Sequence, residues 1–334
     1  MGETIQKRLL LIAPLFFGYY KEIIKEAEFA GFQVEYICDA PSNSSLSKAL
    51  GRINKKFIRI ATEKYFNHTV LLSLKGKQFD NVLVIAGMTF AFSGTMVKKI
   101  REMYPCAKFS LYQWDSERNL PYCAEIHPYF DKIFSFDRYD CMHNGFYHFL
   151  PLFYTGMYEE IGKNRNTEFT YDCSYVGTAH PQKYRDINRI AQACSEVLPN
   201  QLIYHYMPSR LKFVYHKLLS PEYKFAKLAD FKMKKVSFQK LMDIIQQSKC
   251  ILDAPQAGQT GLTIRTIECL GARKKLITTN ADVKYYDFYR ENNILIFKGE
   301  IDKLELFFTE PYSDIPVDIY KKYSLRSWLN TILE

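Results

Sequence analysis

The stretch from Cys250 to Asn280, CILDAPQAGQTGLTIRTIECLGARKKLITTN, constrains the fold more than any other part of the chain. A short apolar strand, Cys250 to Leu252, ends in Asp253, and a loop carrying Gly258 and Gly261 follows. A helix is predicted from about Leu262 to Gly271, then a strand from Lys275 to Thr279. Small residues let a loop approach a ligand closely, and the first amides of a helix have no partner within it. Such an end is positive by its dipole and attracts anions. Here those amides belong to Gly261, Leu262 and Thr263, with Arg265 one turn along and Glu268 further down the same helix. A ligand bridging these positions has phosphates at one end and hydroxyls at the other, as a nucleotide sugar does. A tight turn with Arg265 paired to Glu268 on a wet face would show the same spacing, so the pattern alone does not choose.

The surrounding chain repeats strand and helix. Strands are predicted at Lys7–Ala13, Phe32–Cys38, Asn81–Ala86, Lys108–Tyr112 and Lys132–Phe136, and helices at Tyr19–Ala30, Lys55–Leu74 and Gly94–Met103. The run NVLVIA (Asn81–Ala86) is of the kind buried on both faces of a parallel sheet. A polar segment with two glycines, YTGMYEEIGKNRNTE, then separates two similar patterns and reads as a linker over residues 155–168. Beyond it come a strand at Tyr171–Val176, a turn at Gly177-Thr178, a helix at Gln182–Val197 and a strand at Gln201–Tyr206. Ser237 caps a predicted helix running to Ser248, Asn293–Phe297 is a last strand, and Ile315–Leu333 reads as a terminal helix. Alternation at this spacing predicts α/β architecture with doubly wound parallel sheets. At 334 residues two domains are the expectation: 1–155, 169–314, and a tail at 315–334.

QTGLTIRTIECLGARKKLITTN resembles the donor-site segment of GT-B glycosyltransferases, especially bacterial enzymes of lipopolysaccharide and capsule synthesis and CgeB-like proteins. The resemblance implies two Rossmann-like domains facing a cleft, with the nucleotide-sugar donor on the C-terminal one and the terminal helix crossing back to the first. It implies transfer of a sugar to a hydroxyl of a cell-surface glycan or glycolipid precursor. A partner subunit that binds the donor without catalysis is the alternative.

Donor-side candidates are Gly177, Thr178, Arg185, Asp253, Gly258, Gly261, Leu262, Thr263, Arg265 and Glu268. Glu268, far along its helix from the phosphate end, is expected to hold the ribose, so Glu268→Gln is expected to lose donor without loss of stability. On the acceptor side are the loops with Phe16, Phe17, Tyr19, Phe90 and Phe92. Asp115, after the strand ending at Tyr112 and beside Trp114, is the candidate general base, with Glu117 and His127 in reserve; N-capping the next helix is its ordinary role. Many retaining members of the family have a second Glu eight residues before the ribose-binding one. Thr260 stands there, which leans the expectation toward inversion.

No DxD pair lies in a suitable loop, so neither a metal nor another cofactor is expected. The eight cysteines form no CxxC pair, which suits a reducing cytoplasm and excludes a sequence-evident zinc site. A net charge of +9 suits a polyanionic partner, including peripheral contact with an anionic membrane face. The basic residues are spread along the chain without a stripe interleaved with aromatics, which argues against nucleic acid.

Overall fold

A computed structural model describes residues 6–15, 18–41, 58–120, 122–164, 168–256, 258–299 and 302–334. The expected loop residues Phe16 and Phe17, and the start of the Lys55 helix, lie outside these. The chain divides into two compact units, one of residues 1–151 with 325–334, the other of residues 152–324.

The first unit begins with β1 (Arg8–Ala13), α1 (Tyr19–Phe29) and β2 (Gln33–Cys38). Tyr19, Ile23 and Ala27 recur every four residues on α1 and form its buried face, and Gly31 ends the helix at φ 89°. Next come α2 (Arg59–Tyr65), a π turn (Phe66–Val70) and α3 (Leu71–Leu74), then β3 (Asn81–Ala86), α4 (Gly94–Met103) and β4 (Lys108–Gln113). β5 (Lys132–Ser135), α5 (Arg138–His143) and β6 (Tyr147–Phe149) complete this part. The strands run parallel in the order β2-β1-β3-β4-β5-β6. Leu10, Ile12, Val82 and Val84 enter one core cluster, while the alternate Leu9, Leu11 and Leu83 are equally buried. Both faces are therefore covered, as NVLVIA foretells.

The second unit opens with α6 (Gly156–Lys163) and β7 (Tyr171–Thr178). It continues with α7 (Pro181–Ala193), β8 (Gln201–Tyr206), α8 (Arg210–Leu219), β9 (Phe231–Lys232) and α9 (Phe238–Gln246). β10 (Ser248–Asp253), α10 (Ile264–Gly271), β11 (Lys275–Thr278), β12 (Ile294–Ile296), α11 (Asp302–Thr309) and α12 (Val317–Lys322) follow. Its six parallel strands are ordered β12-β11-β10-β7-β8-β9. The order reverses between β7 and β10, the kind of place where open α/β sheets bind ligands.

Three sequence expectations are corrected. The linker expected at 155–168 is largely a helix, α6, with Tyr158, Ile161 and Gly162 buried, and the second unit starts at Leu152. A Cβ at Gly162 would overlap the carbonyl oxygen of Gly271, so the helices α6 and α10 meet through two glycines. Gly177 and Thr178 are strand residues paired with His205 and Tyr206 rather than a turn. The terminal helix is two: α12 stays in the second unit, and α13 (Leu325–Leu333) belongs to the first. Leu325, Trp328, Leu329 and Ile332 bury one face of α13, with Trp328 stacked edge-on at 4.7 Å from Tyr112. Asn81 Nδ2, Lys108 Nζ and Ser110 Oγ donate to carbonyls of Leu333, Glu334 and Ile332, satisfying the end of the helix.

Candidate functional site

The carboxyl ends of β7 and β10 converge on Asp253, the last residue of β10. Its side chain is 3% exposed. One oxygen accepts from Lys183 Nζ on α7 at 3.1 Å, and the other accepts the hydroxyl of Thr263. A single carboxylate thus ties a strand end, the first turn of α7 and the entry to α10. Its buried charge is met by a cation and a hydroxyl, the condition for stability at such depth.

Thr263 occupies the N-cap of α10, yet its hydroxyl goes to Asp253 and makes no cap hydrogen bond. The helix starts at Ile264, so its first amides are those of Ile264, Arg265 and Thr266. That corrects the expected Gly261, Leu262 and Thr263 by three residues. Asp253 draws Thr263 into the loop, and the extended backbone of Thr263 (ψ 156°) keeps it out of the helix. The preceding loop turns at Gly258 (φ 76°), a conformation that favours glycine. Asn280, just after β11, holds the loop by donating to the carbonyls of Thr260 and Gly261 at 3.2 and 3.4 Å. Leu262 is buried and anchors the loop from within.

Arg265 and Glu268 form an ion pair of 2.7 Å with side chains 17% and 1% exposed. The two do pair, as spacing allows, but the pair is buried rather than on a wet face. Tyr175 lies among the same charges. Burial pushes its phenol far above the usual range, Asp253 adding to this and Arg265 opposing it. Its hydroxyl makes no hydrogen bond among the described residues and occupies the space a Cβ at Gly177 would need. Glycine at 177 is required by that phenol.

Beside this cluster lies a cavity of about 270 Å³ lined by Gln182, Arg185, Asp186 and Arg189 of α7 and by Pro255, Thr279, Phe297 and Lys298. The last four follow directly on β10, β11 and β12. Arg185 Nε is 2.9 Å from Asp186 Oδ1 and its side chain is half exposed. The structure therefore gathers Gly177, Asp253, Thr263, Arg265 and Glu268 in one cluster and puts Arg185 on the adjoining cavity. Lys183 and Asn280 were not singled out by sequence. Lys183 has no local signature, because its partner is 70 positions away.

In the first unit Asp115 Oδ2 accepts from the amide of Met88 at 2.9 Å, joining the loops after β3 and β4. The residue at the start of the next short helix is Ser116, so Asp115 is not its N-cap. Glu117 Oε2 accepts from Asn144 Nδ2 at 2.6 Å, and His127 Nε2 lies 3.0 Å from Gln113 Oε1. Burial lowers the His127 pKa. Among the described residues no three His, Cys, Asp or Glu side chains are grouped to hold a metal. None of the described helices is long and apolar enough to cross a membrane.

No protein-family profile and no curated protein matches this sequence. Solved structures do. Alr3699/HepE of Anabaena, in complex with UDP and glucose, superposes with a TM-score of 0.60 at 10% identity over 98% of both chains. An alpha-glucosyltransferase in complex with UDP and a mismatched 13-mer DNA gives 0.58 at 12% identity, over 98% of this chain and 93% of the other. The lipopolysaccharide outer core galactosyltransferase WaaB gives 0.54 at 13% identity, over 98% and 99%. With two six-stranded parallel sheets, each wound by helices, the chain has the GT-B fold of these glycosyltransferases.

Proposed function

We propose that the chain is a glycosyltransferase that takes a sugar from a uridine diphosphate sugar held by its second unit and transfers it to a glycan hydroxyl. The observation that carries this reading is the diverted cap. Because the Thr263 hydroxyl goes to Asp253, the positive end of α10 is left without a side-chain cap, beside Arg265 and Lys183. A diphosphate supplies the acceptor oxygens such an end lacks. Three structures of the same fold were solved with UDP, UDP-glucose or UDP-GlcNAc, which favours uridine over other bases. In the reaction the acceptor oxygen attacks the anomeric carbon, the bond from that carbon to the phosphate oxygen breaks, and the acceptor proton passes to Asp115. Charge growing on the departing diphosphate is met by helix amides and Arg265, without a metal ion. The acceptor is a cell-surface glycan precursor of the lipopolysaccharide or capsule kind, a reading supported by the sequence resemblance and by WaaB.

A thermal-shift screen against UDP-, GDP-, CMP- and TDP-sugars tests the donor, since a ligand at about 100 times its Kd adds about 2.7 kcal/mol of stability. Stabilisation by UDP-sugars alone, followed by sugar transfer or slow donor hydrolysis, is expected. Stabilisation without any turnover would favour the non-catalytic partner subunit. No stabilisation by any nucleotide would overturn the reading.

A further inference from the structure

The segment between β8 and α9 presents a surface that neither the core nor the cavity uses. No residue of α8 is buried. Its inner edge rests on Phe213, 5.4 Å from the Phe231 ring, and on His216, 5.3 Å from Tyr223. The outer edge carries Leu211, Val214, Tyr215 and Leu218, the i, i+3, i+4, i+7 pattern with which a helix ordinarily meets a core. Here those side chains are 82, 50, 59 and 77% exposed, and Phe225 in the next turn is 84% exposed. Lys217 Nζ donates to the carbonyls of Lys224 and Ala226 at 2.7 and 2.8 Å, which fastens that turn to the helix. A contiguous apolar face of this kind marks an interaction surface.

Its charge identifies the occupant. The even spread of basic charge expected from the sequence is corrected here: residues 208–235 hold eight Lys and Arg against two Asp and Glu, a net +6 out of +9 for the whole chain. One of the two acids, Asp230, already accepts from the Tyr184 hydroxyl and the Lys227 amide. Lys224, Lys227, Lys232, Lys234 and Lys235 are all exposed.

We propose that α8 and the turn after it form a docking surface for an anionic lipid bilayer, with the leucines and Phe225 in the acyl boundary and the lysines at the headgroups. Charge complementarity selects this occupant. A second copy of the chain would set one +6 face against another. Nucleic acid would meet the lysines but offers no apolar phase for an aliphatic stripe. The proposal is independent of the donor and the reaction.

Flotation of the full chain with vesicles tests it, using phosphatidylcholine alone or with about one-third phosphatidylglycerol. Binding to the anionic vesicles and not to the neutral ones is expected, weakened about tenfold or more on raising salt from about 0.1 to 0.5 M. Leu211→Ser with Leu218→Ser should lower the partition coefficient at least about tenfold, and Lys232→Glu with Lys234→Glu and Lys235→Glu should do the same. All five residues are exposed, so the melting temperature should stay at the wild-type value and confirm that folding is intact. Failure of the wild type to float with anionic vesicles would overturn the proposal. So would equal flotation of the leucine variant. A dimer in sedimentation equilibrium that the leucine variant dissolves would assign the face to a second copy instead.

Discussion

Glu268→Gln removes one negative charge at nearly constant volume, so its effect reports what that charge holds. Glu268 Oε2 lies 2.7 Å from Arg265 Nη1, with the two side chains 1% and 17% exposed. An open helical pair such as Lys98 and Glu102, 3.7 Å apart and more than half exposed, contributes a few tenths of a kcal/mol. A buried pair broken at one partner costs about 3–5 kcal/mol, because the remaining charge is left in a low dielectric. Gln keeps a carbonyl to accept from the guanidinium, which brings the expectation to about 2–3 kcal/mol. At about 2–4 °C per kcal/mol for a unit of this size, the melting temperature should fall by about 4–12 °C. Spacing alone suggested that this substitution would leave stability unchanged; the buried geometry reverses that. The pair of changes Arg265→Met and Glu268→Leu removes both charges in similar volume and should recover most of the loss. Scanning calorimetry of the three proteins at one pH decides. A melting point for Glu268→Gln within about 1 °C of wild type would refute the reasoning, since a charge in a low dielectric cannot lose its counter-ion at no cost.

Gly162→Ala places a Cβ against the Gly271 carbonyl and close to Arg273 Cγ, and should cost about 1–3 kcal/mol in thermal unfolding. A wild-type melting point would mean that α6 and α10 have room to part. Burial raises the Asp140 carboxyl from 3.8 to about 6, so the folded state binds the proton more tightly and loses stability as pH rises between those values. Asp140→Asn, which keeps an acceptor for the Glu117 amide, should therefore melt higher than wild type near about pH 7.5 but not near about pH 4. The opposite ordering would remove burial as the cause. Asp115→Asn should slow transfer about a hundredfold or more with UDP affinity unchanged in calorimetry. Full activity would move the base to Glu117 or His127.

Much of the fold was legible because the central strands of both sheets, β1 and β3 in one and β10 and β11 in the other, are buried on two sides. NVLVIA could be bounded to the residue, since nothing but a central parallel strand is so uniformly apolar and β-branched, and all six of its residues are buried. The helix Gly94–Met103 was bounded equally well, and the structure adds its cap, Ser93, whose hydroxyl accepts from Met96 N. The segment YTGMYEEIGKNRNTE misled because its composition is polar. Its Tyr158, Ile161 and Gly162 keep helical spacing, and the glutamates and lysine belong to the outer face. Gly177 suggested a turn because a strand seldom has use for glycine; the use is the Tyr175 phenol, a contact between residues two apart on one face of the sheet. At the site, the glycines, Asp253, Thr263, Arg265 and Glu268 could be named from one local stretch, while Lys183, 70 positions from the Asp253 carboxylate it meets, has no local pattern to betray it.

The place of α13 bears on how the chain is made. The sheet residues Asn81, Ser110 and Tyr112 leave the ribosome early, whereas Trp328, Leu329 and Ile332, which close the first unit beside them, follow only after the whole of residues 152–324. At about 5–20 residues per second that is an interval of roughly 9–35 s. Domains usually fold in the order in which they are synthesised. Here the second unit has all of its strands before the first can be completed, so the N-terminal sheet waits with an apolar face uncovered and is the part of the nascent chain that holding chaperones should engage.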